Sequence, residues 1–256
     1  FGSRQFGSFH SSVWIICIAQ EPTPMQSLIA FFLAFAAVAR GQIAQGKKSL
    51  ISFPGPKWLE NNDPIMGGQS NGNWSVINNE FGRFQGTVKN VSFLHAPGFC
   101  RAVTTSPMML DASDYVDGGL LIAVRTTTPD YKGFRVSFGT VGAPRHHGGH
   151  EKEGSFKSGF TVGGSTPGRW QSIFLKFSDF SADWSDYTGE CTTKDPDGYQ
   201  HKCCTKATSE VCPNEKYLKG IISFNIWAEG VEGDFELDIK EIATTTTTES
   251  SSMMLV

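Results

Sequence analysis

Apolar and polar residues alternate with a period of two along several short segments of this chain. The segment 235–240 is the clearest, since Phe, Leu and Ile occupy every second position between charged residues. The same period appears in segments 134–138 and 173–177. Successive side chains of a strand point to opposite faces of the sheet. The pattern therefore predicts β-strands with one buried and one solvated face, as in an antiparallel sheet.

Two further segments, 120–124 and 221–227, are almost continuously apolar and predict central strands that are buried on both faces. Sustained helical periodicity with capping residues is missing, and glycine, proline and asparagine recur between the predicted strands. With 39% apolar and 18% charged residues, the chain is typical of a globular protein. We therefore predict an all-β fold, a single antiparallel β-sandwich or jelly roll.

The stretch Asp63–Ser70, of sequence DPIMGGQS, predicts a loop of defined shape. Pro64 fixes φ and removes a backbone donor, and the two glycines allow positive φ and close backbone approach. A tight turn between two strands is the alternative interpretation of the same residues.

This loop and several later motifs together resemble the CIA30 family, named for complex I intermediate-associated protein 30, a mitochondrial assembly factor. The similarity extends from about Phe53 to Ile242. The resemblance implies a galactose-binding-domain-like β-sandwich, with no catalytic activity established for the module. The motifs that carry the resemblance are the Asp63–Ser70 loop, APGFCR (96–101), DGGL (117–120), YKGF (131–134), WQSI (170–173) and GDFELDI (233–239).

The resemblance implies a binding module for protein interaction or assembly, without a cofactor. The residues predicted to contact a partner are those of the loop, with two arginines as polar anchors: Asp63, Met66, Gly67, Gly68, Gln69, Ser70, Arg101 and Arg125. A carbohydrate-binding module is the second hypothesis, with Trp184 and Tyr187 as the exposed aromatic residues because their sequence neighbours are polar. A mitochondrial complex I assembly factor is the third.

The N-terminal part of the chain indicates secretion. Residues 25–41 are typical of a signal peptide, with a run of apolar residues at 28–39 that is shorter than the roughly 20 needed to span a bilayer. Residues 1–24 are interpreted as upstream translated sequence or a disordered segment. The predicted domain is 50–243, followed by a disordered Thr/Ser-rich tail, 244–256. A matrix-targeting peptide would be rich in arginine, so a mitochondrial location is the alternative.

Four cysteines, Cys191, Cys203, Cys204 and Cys212, lie in a predicted insert (183–217) with little hydrophobic pattern. A segment without its own core needs covalent cross-links, and an oxidising compartment permits them. Adjacent cysteines rarely bond to each other, so each of the central pair is expected to bond outward. Because Cys100 is a fifth cysteine, the connectivity stays open. A zinc site is the competing interpretation, but the spacing lacks a C-x2-C pair.

Other candidate sites are weaker. The tract 146–150 contains three histidines and is expected to be a solvated loop that binds metal only weakly, because its central glycines disfavour a helix. Aspartates in 111–117 and 195–197 are interpreted as turn residues, and a structural Ca²⁺ stays open by analogy with galactose-binding-like sandwiches. Asn73 and Asn90 lie in N-glycosylation sequons, Asn73 within a predicted loop.

Two classes of function are disfavoured. The sequence contains none of the short motifs of serine hydrolases, zinc proteases or nucleotide-binding enzymes, so we do not expect an enzyme. The net charge of -3 and the absence of long runs of Lys and Arg argue against a nucleic-acid partner.

Overall fold

The computed structural model describes residues 46–63, 67–149, 154–163 and 167–246. In these residues the chain forms two antiparallel β-sheets and a small hairpin, which confirms the predicted all-β sandwich. The strands are β1 (Lys48–Ser52), β2 (Trp58–Asn62), β3 (Asn71–Ile77), β4 (Phe81–Val88), β5 (Asn90–Val91), β6 (Ala96–Pro97), β7 (Phe99–Thr104), β8 (Gly119–Thr126), β9 (Phe134–Thr140), β10 (Ser155–Gly159), β11 (Gln171–Lys176), β12 (Ile221–Glu229) and β13 (Gly233–Thr245).

The first sheet, sheet A, has the order β11-β8-β13-β4-β3, and β1 pairs with the end of β13. Strand β13 contains the clearest alternation of the sequence: Phe235, Leu237 and Ile239 are buried, and Glu236 is half-buried on the outer face. Asp238, also on the outer face, is nevertheless buried, because arginines on the neighbouring strands bind its carboxylate. The alternation therefore positions the inner face of sheet A as predicted.

The second sheet, sheet B, has the order β10-β9-β12-β7-β2. Strand β12 is central, and its residues from Phe224 to Glu229 are all buried, which confirms a strand covered on both faces. The expected solvated face of β9 is wrong, since all seven residues of this strand are buried. The reason is tertiary: residues of the cysteine insert cover the outer face of sheet B, so Arg135 and Ser137 are enclosed as well.

Phenylalanine rings fill the space between the sheets. Phe134 of sheet B meets Phe235 of sheet A edge-on at 6.4 Å between ring centroids, and Phe235 also contacts Phe84 at 4.8 Å. At the other end of β9, Phe138 packs against Phe180 at 5.1 Å. Offset and edge-on ring pairs are the favoured geometries of aromatic cores. The core thus consists of interlocking rings from both sheets.

The outer strands extend slightly beyond the predicted domain, 50–243. Strand β1 begins at Lys48 and β13 continues to Thr245. Thr244 pairs with both Lys48 and Leu120, and its hydroxyl donates to the Gly119 carbonyl at 3.1 Å. A polar residue can therefore extend a strand when neighbours on both sides satisfy its backbone. The predicted signal peptide, Met66, His150 and the end of the tail lie outside the described residues.

The described helices are short. They are 3-10 turns at Ser113–Tyr115, Phe177–Asp179 and Ser209–Val211, and a single α-helical turn at Glu215–Leu218. None of the helices in the described part of the chain has the length and apolar composition to cross a membrane.

Candidate functional site

The loop that follows β2 is closed by a buried carboxylate. Asp63 accepts hydrogen bonds from the backbone N–H of Ser70 (2.8 Å), the hydroxyl of Ser70 (2.5 Å) and the backbone N–H of Phe99 (3.2 Å). Asp63 and Ser70 are both buried. Charge-assisted bonds of this kind are stronger than neutral ones. We call this arrangement the Asp63 lock, and it ties the 67–70 segment to the start of β7.

Two glycines make room for the Asp63 lock. A Cβ atom at Gly68 or at Gly98 would overlap the Asp63 carboxylate, so each position requires glycine for close approach. Gly67 has φ +85°, the left-handed conformation that favours glycine. The glycines of DPIMGGQS and of APGFCR therefore serve the same buried carboxylate.

A small hairpin stands beside the Asp63 lock. Strands β5 and β6 form it, and its turn is closed by a bond from the Leu94 N–H to the Val91 carbonyl at 3.0 Å. At this turn Phe93 is 65% exposed and Leu94 is 42% exposed. The Phe93 ring lies 3.6 Å from where a Cβ of Gly67 would be. We call Phe93 and Leu94 the hairpin tip; its Phe93 ring lies beside Gly67 of the segment that the Asp63 lock holds.

The outer face of sheet B carries a buried ion pair. Lys157 Nζ lies 2.7 Å from Glu229 Oε1, and it also lies over the rings of Trp184 (3.4 Å) and Trp227 (3.7 Å). Burial lowers the pKa of Lys157, and the carboxylate of Glu229 opposes this shift. Trp184 belongs to the cysteine insert, so these contacts fasten the insert to the sheet.

The insert itself is organised around a buried histidine. His201 Nδ1 lies 2.8 Å from Asp183, and His201 Nε2 lies 2.8 Å from Asp195. The hydroxyls of Tyr199 and Ser185 donate to the same two carboxylates. The insert thus has a network of charged hydrogen bonds where a domain would have an apolar core.

Two disulfides close the insert. Cys191 bonds to Cys203 and Cys204 bonds to Cys212, which confirms that each of the adjacent cysteines bonds outward. Cys100 is free and buried in β7, and burial raises its pKa to about 12. Burial and the raised pKa both disfavour the reactive thiolate form.

The expected solvated histidine loop is only partly right: His147 and Gly148 are exposed, but His146 is not. His146 is buried; its ring stacks on Trp184 at 3.7 Å, and its Nε2 lies 3.0 Å from Asp186. His147 stacks on Tyr199 and bonds to Asp197. Flat rings with a polar edge can pack and bond at once, so these histidines hold the insert in place.

The described residues also line an open cavity of about 340 Å³ between the edge strand β10 and the insert. Its lining is mainly polar and includes Lys132, Arg135, Gly159 and Glu190. Arg135 and Glu190 form an ion pair at 2.8 Å in its wall.

The motifs that shape these features match one known family. The sequence model described as Complex I intermediate-associated protein 30 (CIA30) matches residues 51–195. The chain belongs to the CIA30 family. The match includes the Asp63 lock, the hairpin tip and most of sheet B, and it ends within the cysteine insert.

Among solved structures, the chain is similar to the family 11 carbohydrate-binding module of the cellulosomal cellulase Lic26A-Cel5E of Clostridium thermocellum, at 16% identity over 78% of this chain and 95% of that one, with a TM-score of 0.46. The solution structure of CtCBM11 covers 81% of this chain and 99% of its own at 16% identity, with a TM-score of 0.47. An exo-beta-agarase is 12% identical and covers 79%, with a TM-score of 0.41, but the chain spans only 25% of that enzyme. No curated protein sequence matches the chain.

In this CIA30 chain, the predicted partner-contacting residues separate into different places. Arg101 lies on the outer face of sheet B, over Trp227 at 4.9 Å. Arg125 lies on the outer face of sheet A, where it binds Asp238 at 2.7 Å and stacks between Phe81 and Trp170. Because the two arginines lie on the outer faces of different sheets, the structure does not bring them together on one surface.

The loop and aromatic residues are distributed similarly. Gly67 and Gln69 are exposed, whereas the side chains of Asp63 and Ser70 are occupied in the lock. Trp184 is only 4% exposed, so its expected exposure is wrong: its polar sequence neighbours bond within the insert while its ring packs on the sheet. Tyr187 is half-buried. Phe93 and Leu94 were not among the residues predicted from the sequence, and their role as an exposed apolar pair is apparent only from the structure.

The remaining candidates have clear positions. Asn73 is exposed on the edge strand β3, not in a loop as expected, and Asn90 on β5 donates to Glu232 at 2.5 Å. Within the described ranges, no group of three or more His, Cys, Asp or Glu side chains is arranged to hold a metal ion. Asp195 and Asp197, considered for Ca²⁺, bond to His201 and His147.

Stability of the insert should fall as pH rises. Burial by itself lowers the pKa of His201, but hydrogen bonds to Asp195 and Asp183 outweigh this, so the pKa is raised. A raised folded-state pKa stabilises the fold below the unfolded value of about 6.5, and this contribution is lost as pH rises through the folded-state pKa. Thermal unfolding of wild type at increasing pH should show the loss.

His201→Gln should abolish this loss of stability at high pH, because glutamine does not titrate. His95→Gln, at an exposed histidine, should leave it unchanged. An identical pH profile in wild type and His201→Gln would contradict the assignment.

Proposed function

We propose that this CIA30-family chain is a non-catalytic protein-interaction module that uses the hairpin tip and needs no cofactor. The observation that carries the proposal is the exposure of Phe93 and Leu94, at 65% and 42%, on a firmly held turn. Burying a side chain of this type contributes about 1.5–3 kcal/mol of favourable free energy. Covering both side chains would therefore contribute substantially to the binding of a partner.

The surroundings of the tip support a protein partner. Ser92 and His95, the sequence neighbours of the apolar pair, are exposed, and an apolar centre with a polar rim is typical of protein interfaces. The Asp63 lock anchors segment 67–70, and the Gly98 N–H bonds to the Lys89 carbonyl at the base of the hairpin. Such preorganisation lowers the entropy that ordering costs on binding.

A photo-crosslinking amino acid in place of Phe93 should test the proposal in the cells that make the protein. We expect one discrete protein adduct from position 93. Replacing Leu94 with Asp should weaken the adduct about tenfold, as expected for loss of a central contact. Val141 is 52% exposed on a different loop and serves as the matched position for the crosslinker. Equal adducts from both positions, or none from position 93, would contradict the proposal.

We also propose that the chain acts in the secretory pathway, supported by the two disulfides of the insert. Protein from native cells should gain four hydrogens on reduction, two for each disulfide. It should also carry an N-glycan that Asn73→Gln removes, because Asn73 is exposed. Asn90→Gln should leave this glycan in place. Five free thiols and no glycan would instead favour the mitochondrial complex I assembly role.

A further inference from the structure

The cavity beside β10 has one wall built on a buried arginine. Arg135 Nη1 donates to the carbonyls of Lys132 (3.0 Å) and Phe134 (2.9 Å), so the guanidinium is held in a fixed orientation. Nη2 meets Glu190 Oε1 at 2.8 Å. The Nε atom is buried and has no hydrogen-bond partner among the described residues. The side-on edge formed by Nε and Nη2 can bind a carboxylate with two parallel bonds, and here it is only half used.

In the structure, the Glu190 carboxylate binds the Nη2 end of this edge. Its side chain is 40% exposed, so it can turn into solvent without leaving a buried charge. A Cβ atom at Gly159 would lie 3.1 Å from Glu190 Oε1 and 3.4 Å from Arg135 Nε. The absence of a side chain at Gly159 therefore leaves space next to Arg135 Nε for a carboxylate.

The charges of the lining favour an anion once Glu190 moves away. Lys157 is neutralised by Glu229, which leaves Lys132 and Arg135 opposed by Asp179 alone. Ser158 and Thr161 also line the cavity and can bond to hydroxyl groups. A volume of about 340 Å³ suits a single small ligand.

We propose that this cavity binds a sugar-sized polar acid, a hexuronate, with its carboxylate on the Nε/Nη2 edge of Arg135 and Glu190 as the group it displaces. The site lies at the β10 edge of sheet B and is separate from the hairpin tip, so it goes beyond the interaction role proposed above.

Calorimetric titration of the oxidised full chain with D-glucuronate tests the proposal. We expect binding to wild type, and no detectable binding of D-glucose at equal concentration, because the carboxylate supplies the main contact. Glu190→Ala should tighten glucuronate binding about tenfold, since it removes the competing carboxylate. Gly159→Ala should weaken it about tenfold, since the new methyl group narrows the space next to Arg135 Nε. Glu232→Gln, at an exposed carboxylate elsewhere, should bind as wild type does.

The response to Glu190→Ala distinguishes this site from weak surface binding. The proposal is overturned if neither wild type nor Glu190→Ala binds glucuronate, or if Glu190→Ala leaves the affinity unchanged. Equal binding of glucose would also overturn it, because the arginine would then have no role. Equal binding of propionate would overturn the assignment to a sugar acid.

Discussion

Asp63→Ala should lower the free energy of unfolding by about 3–5 kcal/mol, because three donors lose their acceptor and buried unsatisfied donors cost about 1–3 kcal/mol each. These donors are the backbone N–H groups of Ser70 and Phe99 and the hydroxyl of Ser70. The substitution also leaves a void between Gly68 and Gly98, whose positions are shaped by the missing carboxylate. Urea unfolding of the oxidised protein measures the loss.

Asp114→Ala is the matched control, since Asp114 is an exposed aspartate and such changes usually stay within about 0.5 kcal/mol. If Asp63→Ala cost less than about 1 kcal/mol, the lock would not hold the loop. The same variant should reduce crosslinking from position 93, because segment 67–70 beside the hairpin tip would lose its anchor. This result would connect the buried motif with the exposed surface.

Lys157→Met should destabilise the chain by about 3–5 kcal/mol, as removal of one partner from a buried ion pair usually does. The substitution leaves Glu229 buried without its cation, although methionine still fills the space between Trp184 and Trp227. The insert should also become more sensitive to proteolysis, because Trp184 loses its contact with the cation. Urea unfolding and limited proteolysis measure the two effects.

The double variant Lys157→Met with Glu229→Gln should recover most of the lost stability, because no unpaired charge then remains. This recovery separates the cost of an uncompensated carboxylate from the cost of altered packing. If the double variant were as unstable as Lys157→Met, packing between the tryptophans would explain the loss, and the ion pair would contribute little.

Much of the fold was predictable because its signals are local. The alternation at 235–240 depends only on the geometry of a strand and an apolar interior, and it placed β13 and the inner face of sheet A. The sequence predicted that Cys203 and Cys204 do not bond to each other, because they are adjacent, but it left their partners open. Segment 134–138 was predicted as a strand for the same reason, but its second covered face was not.

The candidate sites depended on contacts between distant residues. The environment of Trp184 is set by Lys157 and Trp227, so its polar sequence neighbours gave a misleading indication of exposure. Arg101 and Arg125 looked equivalent in sequence, yet the sheet topology places them on opposite outer faces.

The sequence by itself determined the all-β class, the core-facing sides of the alternating strands and the cross-linked insert, because periodicity and cysteine proximity act within a few residues. Tertiary structure alone decided that Asp63 is a lock, that the insert covers sheet B and that Arg135 faces a cavity. The lock joins residues 36 positions apart, and the Lys157–Glu229 pair joins residues 72 positions apart. Burial and pairing at such distances are properties of the packed chain, since each residue's environment is supplied by segments that meet only after folding.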